Sequence, residues 1–273
     1  MAKRDRMITR IVVCVLAALC VLTGPARAQF FIEDGKVSLA VSGGDRINKK
    51  VIIHNTTAEN ISVRAYWEDF TYRPPFDGTK SFVPAGTGER SLSQWVSFSP
   101  SEFMIPPFGQ QEINYNVSVP AVIDGGHYGV LFFEKVGDPA RSQTGMDIVT
   151  RVGCLFFIEP KDLVKKAELR DIAVVSRKLT GVFVNQSPVV TIPLITYYFM
   201  DDQGVVADRG EVKKLYLPPD ASGTFEIPLP AALSAAKYTV VVNADLENGN
   251  AIVKELEITR DAADNFTISD IRD

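Results

Sequence analysis

The segment from Val96 to Pro160 alternates short apolar strands with turns rich in proline and glycine. One apolar strand ends at Ser99-Pro100, and a Pro-Pro-Phe-Gly turn at residues 106–109 leads into a strand of alternating apolar and polar residues. Short strands separated by such turns are typical of an immunoglobulin-like β-sandwich. The sequence therefore predicts an all-β fold.

Two later strands of this segment, Tyr128–Phe133 and Val152–Ile158, are apolar on both faces. The strand before them alternates, and its apolar residues are Ile113, Tyr115, Val117 and Val119. An alternating antiparallel strand packs one face on a core, whereas a strand that is apolar on both faces needs cover on both sides. We therefore expect the last two strands to contact the core and a second covering element.

Three short runs before this segment are predicted to be the strands of a meander. They are Val37–Val41, Val51–Asn55 and Ile61–Trp67. The alternate residues Ile61, Val63, Ala65 and Trp67 are expected to face inward. The stretch Tyr72–Arg90 is rich in turn residues and predicts an irregular excursion at one end of the sandwich.

After Pro160 the strand pattern starts again, which predicts a second sandwich. Seven further strands are expected: Ile172–Val175, Gly181–Asn185, Val189–Met200, Glu211–Leu217, Gly223–Ile227, Tyr238–Asn243 and Ile252–Ile258. The predicted organisation is two tandem immunoglobulin-like domains, at residues 29–160 and 161–260. A flexible tail at residues 261–273 is expected to follow them.

The first 28 residues have the organisation of a secretory signal peptide. A basic head precedes an apolar run from Ile11 to Leu22 and a small-residue site at Ala26-Arg27-Ala28. The apolar run is about 12 residues long, short of the roughly 20 that cross a bilayer. We therefore expect a secreted chain that starts near Gln29, with the periplasm as its compartment and no membrane insertion once the signal is removed.

The composition of the secreted part excludes several classes of partner. Removing the first 28 residues takes five of the 29 basic residues and one of the 33 acidic residues, leaving 24 against 32 and a formal balance of −8. Such an acidic chain is a poor candidate for binding nucleic acid or anionic lipid. Cys154 is the one cysteine that remains, and its apolar neighbours in the sequence predict a buried core residue.

The polar residues predict a protein that is not an enzyme. His54 and His127 are the only histidines, and no local nucleophile motif accompanies them. Two histidines and Cys154 do not match a familiar zinc spacing. The acidic stretches Asp201–Gly204 and Asp245–Asn250 lack the twelve-residue calcium loop and are expected to be hairpin turns. We therefore expect no catalytic residue, no metal and no cofactor.

The last strand of the first domain, predicted over Asp147–Ile158, offers a surface for a partner. One face of this strand has alternate residues of the apolar run, and the other has Val149, Arg151, Gly153, Leu155 and Phe157. If the first face packs in the core, the second leaves Val149, Leu155 and Phe157 on an edge with which a partner strand can pair. The alternative is that the second domain or the long loop covers this face.

Over about residues 35–160 the chain resembles the amino-terminal domain of the periplasmic pilus-assembly chaperones of the PapD-like superfamily. The residues that carry the resemblance are Phe98-Ser99-Pro100, Phe103–Gln111, Gly126–Glu134 and Phe156–Pro160, together with Lys50–Asn55 and Ile61–Glu68. The resemblance implies donor-strand action, in which the chaperone lends its last amino-domain strand to an incomplete subunit. It also implies a basic pair in the interdomain cleft that binds the terminal carboxylate of the subunit.

The sequence departs from the family at this basic pair. The expected lysine falls at or near Gly153, which leaves Arg151 as the nearest basic residue, and Val37–Val41 contains no arginine. We predict a non-catalytic, chaperone-like protein that binds a partner polypeptide, such as a pilin-like subunit, by strand-edge pairing in pilus or surface-structure assembly. Its predicted contacts are Val149, Leu155 and Phe157, with Arg151 near the cleft. The alternative is a structural or adhesive surface module that binds protein or glycan through Tyr72–Arg90, with Trp95 nearby.

Overall fold

The computed structural model describes residues 29–137, 149–231, 233–234, 236–247 and 251–273. These residues form eighteen β-strands in four sheets. In this described part, no helix has the length and hydropathy needed to cross a membrane. The predicted signal peptide, residues 1–28, lies outside the described residues.

Ten strands build the first two sheets. They are β1 (Phe30–Ile32), β2 (Lys36–Val41), β3 (Arg46–Asn55), β4 (Ile61–Tyr72), β5 (Lys80–Pro84), β6 (Val96–Ser99), β7 (Glu102–Ile105), β8 (Gln110–Ser118), β9 (His127–Lys135) and β10 (Arg151–Pro160). One sheet has the order β1-β3-β8-β6, and the other has the order β2-β10-β9-β4-β5, with β7 also paired to β4. The pairing of β10 with β2 is parallel, and the other pairings are antiparallel.

The predicted meander of the first three runs is wrong. Strands β2 and β4 belong to one sheet, and β3, which lies between them in sequence, belongs to the other. Consecutive strands of an immunoglobulin-like sandwich often cross to the opposite sheet, so that both sheets contribute inward-facing residues to one core. The alternation of apolar residues indicates which face of each strand is buried, but it does not indicate which strand lies beside it.

The first core lies between these two sheets, and the predicted inward faces are confirmed. Ile61 and Val63 on β4 are buried against Ile113, Tyr115 and Val117 on β8. Cys154 is fully buried in the same core, as expected, and burial raises the pKa of its thiol to about 12. The thiol is therefore uncharged at neutral pH.

Eight strands build the remaining two sheets. They are β11 (Ala167–Val175), β12 (Lys178–Asn185), β13 (Leu194–Met200), β14 (Val206–Glu211), β15 (Ser222–Pro228), β16 (Lys237–Asp245), β17 (Ala251–Arg260) and β18 (Phe266–Arg272). Their orders are β11-β12-β15 and β14-β13-β16-β17-β18. A second core of large apolar side chains fills the space between these sheets. The protein thus consists of two tandem immunoglobulin-like sandwiches, as the sequence predicts.

The fourth predicted strand of the second sandwich is displaced. The sequence predicts a strand at Glu211–Leu217, but β14 covers Val206–Glu211. The turn at Asp201–Gly204 explains the difference, because the Asp201 carboxylate accepts the N–H groups of Gln203 and Val205 and closes the hairpin at once. The returning strand therefore starts at Val206.

The predicted flexible tail at residues 261–273 is also wrong. Strand β18 pairs with β17 over most of its length, and Phe266 and Ile268 are half-buried against the second core. Arg272 donates a hydrogen bond to the Glu257 carboxylate at 2.7 Å. Phe266 and Ile268 therefore form the inward face of an edge strand, whereas Ile271 is exposed.

Candidate functional site

Strand β10 is paired on one side along its length and on the other side only over its second half. It pairs with β9 from Arg151 to Ile158, whereas β2 covers it only from Leu155 onward. The predicted start at Asp147 is not reached, since β10 begins at Arg151 and residues 138–148 lie outside the described residues. The first half of β10 is therefore a sheet edge among the residues that the structure describes.

The register identifies which backbone groups this edge presents. The Leu155 N–H donates to the Gly35 carbonyl at 3.0 Å, so Leu155 directs its backbone groups away from β9. Backbone groups of an antiparallel strand alternate between its two sides. Arg151 and Gly153 therefore present their N–H and C=O groups on the outer side, where no described strand pairs with them. The edge is open at two residues, with Val149, 54% exposed, just before them.

The two faces of β10 divide as the sequence predicts. Cys154, Phe156 and Ile158 are fully buried in the first core. Leu155 and Phe157 lie on the other face, in a separate apolar cluster with residues of β4 and β9. The second face is thus an apolar surface outside the first core.

Phe157 is not available as a contact for a partner, because it is only 6% exposed. It packs in one cluster with Tyr128 and with Val190, which belongs to the second sandwich. The Phe157 and Tyr128 ring centroids are 5.5 Å apart in an edge-on arrangement. The second domain therefore covers this end of the face, the alternative that the sequence left open. Leu155 remains half-buried, and Val149 remains exposed.

Arg151 lies at the far end of β10 from the cleft, which corrects its expected position. It is six residues from Phe157, and a strand rises about 3.3 Å per residue, so the two are roughly 20 Å apart along the strand. Its guanidinium donates to the Tyr66 hydroxyl at 3.2 Å and to the Glu68 carboxylate at 3.3 Å. It also lies 4.1 Å from the centroid of the Phe132 ring. These contacts hold the Arg151 guanidinium on the surface of the sheet.

Gly153 stands where the family resemblance expects a lysine, and the fold leaves no space for a side chain there. A Cβ at this position would lie 2.7 Å from Val130 Cγ2 and 2.9 Å from the Phe132 ring. The Phe132 side chain covers the residue instead. The packing of β9 on β10 therefore accounts for a glycine, and not the lysine of the family, at this position.

The cleft between the two sandwiches contains lysines that the sequence reasoning missed. A cavity of about 350 Å³ is lined there by Lys36, Lys161 and Lys165, and by Glu159 and Glu247. Lys36 begins β2, and its ammonium lies 4.7 Å from the Phe157 ring centroid. Among the described residues, none of the three lysines has an ion-pair partner within 4.0 Å. The cleft therefore presents unpaired ammonium groups.

Two of these lysines have features that sequence inspection passes over. Lys36 immediately precedes the alternating run Val37–Val41, outside the window in which a basic residue was sought. Lys165 belongs to the charged run after Pro160 and is nevertheless only 8% exposed. Buried lysines are rare unless they are paired. The signal that would have identified Lys36 is its place at the first residue of β2, the strand that pairs with β10.

Glu159 is the acidic group most affected by this environment. Burial raises the pKa of its carboxyl, and the nearby Lys165 and Lys36 ammonium groups partly oppose that shift. Glu247 on the opposite side of the cleft adds to the rise by charge repulsion. Burial therefore disfavours the charged form of Glu159, even though the cleft also contains the lysine ammonium groups.

Several contacts join the two sandwiches next to this cleft. The Val190 N–H donates to the Tyr128 hydroxyl oxygen at 2.6 Å, and the Gly126 N–H donates to the Pro188 carbonyl at 2.8 Å. On a second side, the rings of Tyr72 and Tyr216 lie 5.1 Å apart. These contacts join the end of β4, the start of β9 and the loop before β9 to the second sandwich.

The alternative loop site is partly built into the first sandwich, although most of residues 73–90 are exposed. Part of the expected excursion Tyr72–Arg90 is strand β5, which pairs with β4. Trp95 packs against His127 in a tilted arrangement, with ring centroids 4.1 Å apart. The His127 ring contacts the Asp124 carboxylate at 3.2 Å, and Arg90 contacts the same carboxylate at 3.1 Å. Trp95 therefore supports the loops of its own domain.

The histidines are held in separate surroundings. His54 stacks on Phe31 and contacts Glu33, on a strand remote in sequence from His127. In the described ranges, neither histidine ring contacts a serine hydroxyl or the Cys154 thiol. The same ranges contain no group of three His, Cys, Asp or Glu residues placed to bind a metal ion.

Comparison with known proteins gives structural neighbours and no sequence relatives. No protein-family model and no curated protein matches the sequence. A chain from a chaperone–tip adhesin complex described as vital for synergistic activation of CFA/I fimbriae biogenesis aligns with a TM-score of 0.51 and 14% identity. That alignment covers 83% of this chain and 97% of that chain. The class 5 fimbriae chaperone CfaA aligns with a TM-score of 0.50 and 14% identity, covering 82% of this chain and 97% of CfaA.

These likenesses identify the fold. The chain has the PapD-like fold of two tandem immunoglobulin-like domains, which it shares with structures from fimbrial chaperone systems. This agrees with the resemblance drawn from the residues of the first domain.

Proposed function

We propose that this protein is a periplasmic, non-catalytic chaperone that binds a pilin-like subunit by strand pairing along β10. The observation that carries the proposal is the outer side of Arg151 and Gly153, where backbone N–H and C=O groups have no strand partner in the described part of the chain. An open edge of this kind pairs with an extended polypeptide through main-chain hydrogen bonds, and neighbouring side chains set selectivity. The shared fold with structures from fimbrial chaperone systems supports this function.

The side chains at this edge define the contacts of the proposed site. Val149 is exposed and Leu155 is half-buried, so both offer apolar surface to side chains of the paired strand. Phe157 packs beneath the site and is not itself a contact, since it is buried against the second domain. Arg151 contributes its backbone groups, while its guanidinium stays with Tyr66 and Glu68.

The cleft supplies a second anchor in this proposal. Lys36 and Lys165 line the cavity beyond the end of the open edge and have no ion-pair partner among the described residues. An ammonium group forms strong, charge-assisted hydrogen bonds with a carboxylate. We assign these lysines to a carboxylate of the bound polypeptide, in place of the basic pair that the family resemblance implies.

The proposal is tested by two substitutions at one position. Arg151→Pro removes the outward N–H and the side chain at the first residue of the strand, a place where proline is tolerated. Arg151→Ala removes the side chain and keeps the N–H. Each variant is expressed with the native signal in the native host, and co-purifying secreted proteins are identified by mass spectrometry. We expect capture of a secreted subunit by the wild type and by Arg151→Ala, and its loss with Arg151→Pro.

Equal capture by the two variants would contradict edge pairing. Capture that survives both Arg151 variants but is lost on removal of residues 72–90 would instead favour the surface module that binds through its end loops.

A further inference from the structure

The second sandwich contains an edge strand whose outer side is open. Strand β14 is the last strand of its sheet and pairs only with β13 in the described part of the chain. The Val212 N–H donates to the Ile195 carbonyl at 2.9 Å, so Val212 directs its backbone groups towards β13. Because these groups alternate along an antiparallel strand, Gly210 also faces β13, whereas Arg209 and Glu211 present theirs outward. Both outward positions therefore offer hydrogen-bonding groups to a further strand.

The two outward-facing residues carry opposite charges. Arg209 and Glu211 are exposed, and neither has an ion-pair partner within 4.0 Å among the residues that the structure describes. The edge strand β18 differs, because Arg272 there pairs with Glu257 and Asp270 of the same chain. Charged residues usually protect a sheet edge from pairing with another strand. A strand that pairs with β14 must therefore present a negative charge opposite Arg209 and a positive charge opposite Glu211.

A second copy of β14 meets this condition. In a twofold-symmetric dimer the two copies of β14 run antiparallel, and the symmetry axis can pass through the pair of Gly210 residues. Arg209 of each copy then lies opposite Glu211 of the other copy, and both residues face the neighbouring strand with their backbone groups. Each such pair combines opposite charges with main-chain hydrogen bonds in both directions. Gly210, on the axis, has no side chain to hinder the approach of the strands.

The neighbouring registers of the same dimer are unfavourable. An axis at Arg209 would place two arginines directly opposite each other, and an axis at Glu211 would do the same with two glutamates. Like charges directly opposite on neighbouring strands are destabilising. The sequence of β14 therefore favours the register centred on Gly210.

We propose that this protein forms a homodimer in which the β14 edges of two copies pair antiparallel about Gly210 and join two sheets into one. The contact uses no residue of the open β10 edge or of the cleft lining, so it goes beyond the proposed chaperone function. A contact confined to one strand edge buries little surface, and we therefore expect a weak dimer with a dissociation constant on the order of 10–100 µM.

The test is sedimentation equilibrium of the purified protein over a concentration range that spans this value. Arg209→Glu places like charges opposite each other on both sides of the axis and should weaken the dimer by about tenfold or more. Addition of Glu211→Arg to this variant restores opposite charges in each pair and should restore the dimer. The control is Arg170→Glu on the edge strand β11, which changes the net charge equally and should have little effect.

Three results would overturn the proposal. They are a wild type that stays monomeric over the whole range, a double variant that dimerises no better than Arg209→Glu, and a control that is weakened as much as Arg209→Glu. The control separates pairing at β14 from the general repulsion between two acidic chains.

Amide hydrogen exchange by NMR tests the main-chain pairing on the wild type, without any substitution. Protection of the Arg209 and Glu211 amides should rise between dilute and concentrated protein. The Gly210 amide, which faces β13, should change little. Arg209 and Glu211 amides that exchange equally fast at both concentrations would contradict pairing at this edge.

Discussion

Glu159 is a half-buried carboxylate, and the Lys165 and Lys36 ammonium groups only partly compensate its loss of solvent. Its pKa in the folded protein is raised above the ordinary value of 4.5. Between the ordinary and the raised pKa, the folded state binds the proton more tightly than the unfolded chain. Stability is therefore lost as the pH rises through this window, and the full cost of the buried charge is present above it.

This linkage predicts the behaviour of Glu159→Gln. The variant should be more stable than the wild type at pH 7, because it removes the cost of a desolvated carboxylate. The difference should shrink as the pH falls to about 4, where the wild-type carboxyl is protonated in both states. Thermal melts from pH 4 to pH 8 measure this, with the exposed Glu226→Gln as the control. A variant less stable than the wild type at pH 7 would show that Glu159 is a favourable partner of the lysines.

Single residues of the site were only partly predictable from the sequence. The alternation in β10 correctly assigned Cys154 and Phe156 to the core face, because that pattern depends on the strand alone. The burial of Phe157 depends on Val190, which is 33 positions further along the chain and in the other domain. Lys36 was missed for a similar reason, since only the pairing of β2 with β10 places it beside Phe157.

At the scale of elements, β18 shows how an edge strand completes the second sandwich. Phe266 and Ile268 are half-buried against the second core, and the strand pairs with β17. Its sequence suggested a tail, because its apolar residues are isolated and its polar residues numerous. The period of two that makes it a strand spans only a few residues, and the partner strand determines whether it is ordered.

Removal of residues 266–273 should therefore destabilise the protein. The deletion exposes the apolar surface under Phe266 and Ile268, and we expect a loss of roughly 2–4 kcal/mol in the free energy of unfolding. Urea titration followed by circular dichroism measures this. Deletion of Asp273 alone removes one exposed ion pair with Lys254 and should cost at most about 1 kcal/mol. Unchanged stability after the longer deletion would contradict this expectation and support the prediction of a flexible tail.

Strand identities were more predictable than strand neighbours. Both sandwiches and most of their strands follow from alternation and turn residues. The assignment of β2, β3 and β4 to alternate sheets does not follow, because local patterns contain no information about long-range pairing. For the same reason, the partial cover of β10 by β2, which leaves only the first half of the edge open, was not predictable.

At the scale of the whole molecule, the two sandwiches create a cleft that neither contains alone. The cleft joins Lys36 of the first domain to Lys165 beyond the domain junction, and Val190 of the second domain and Phe157 of the first, which pack in one cluster, both line it. The open half of β10 leads along the sheet towards this cleft. A bound polypeptide that pairs with the edge therefore has its nearer end beside unpaired ammonium groups.

Replacement of Lys36 should weaken the capture of such a polypeptide. Lys36→Gln removes one ammonium group from the proposed carboxylate site, and we expect about a tenfold loss of affinity, larger at low salt than at high salt. Affinity is measured by titration with the subunit co-purified from the native host. The control is Lys178→Gln, which changes an exposed lysine paired with Glu226 outside the cleft. An equal effect of both substitutions would contradict a specific role for Lys36.

Backbone pairing at β10 is tested most directly by amide hydrogen exchange, measured residue by residue by NMR with and without the captured subunit. The account predicts an alternating response: the Arg151 and Gly153 amides, which face outward, become protected when the subunit binds. The Val152 and Cys154 amides, which already face β9, change little. Binding that leaves the Arg151 and Gly153 amides as exchangeable as in the free protein would contradict strand pairing at this edge.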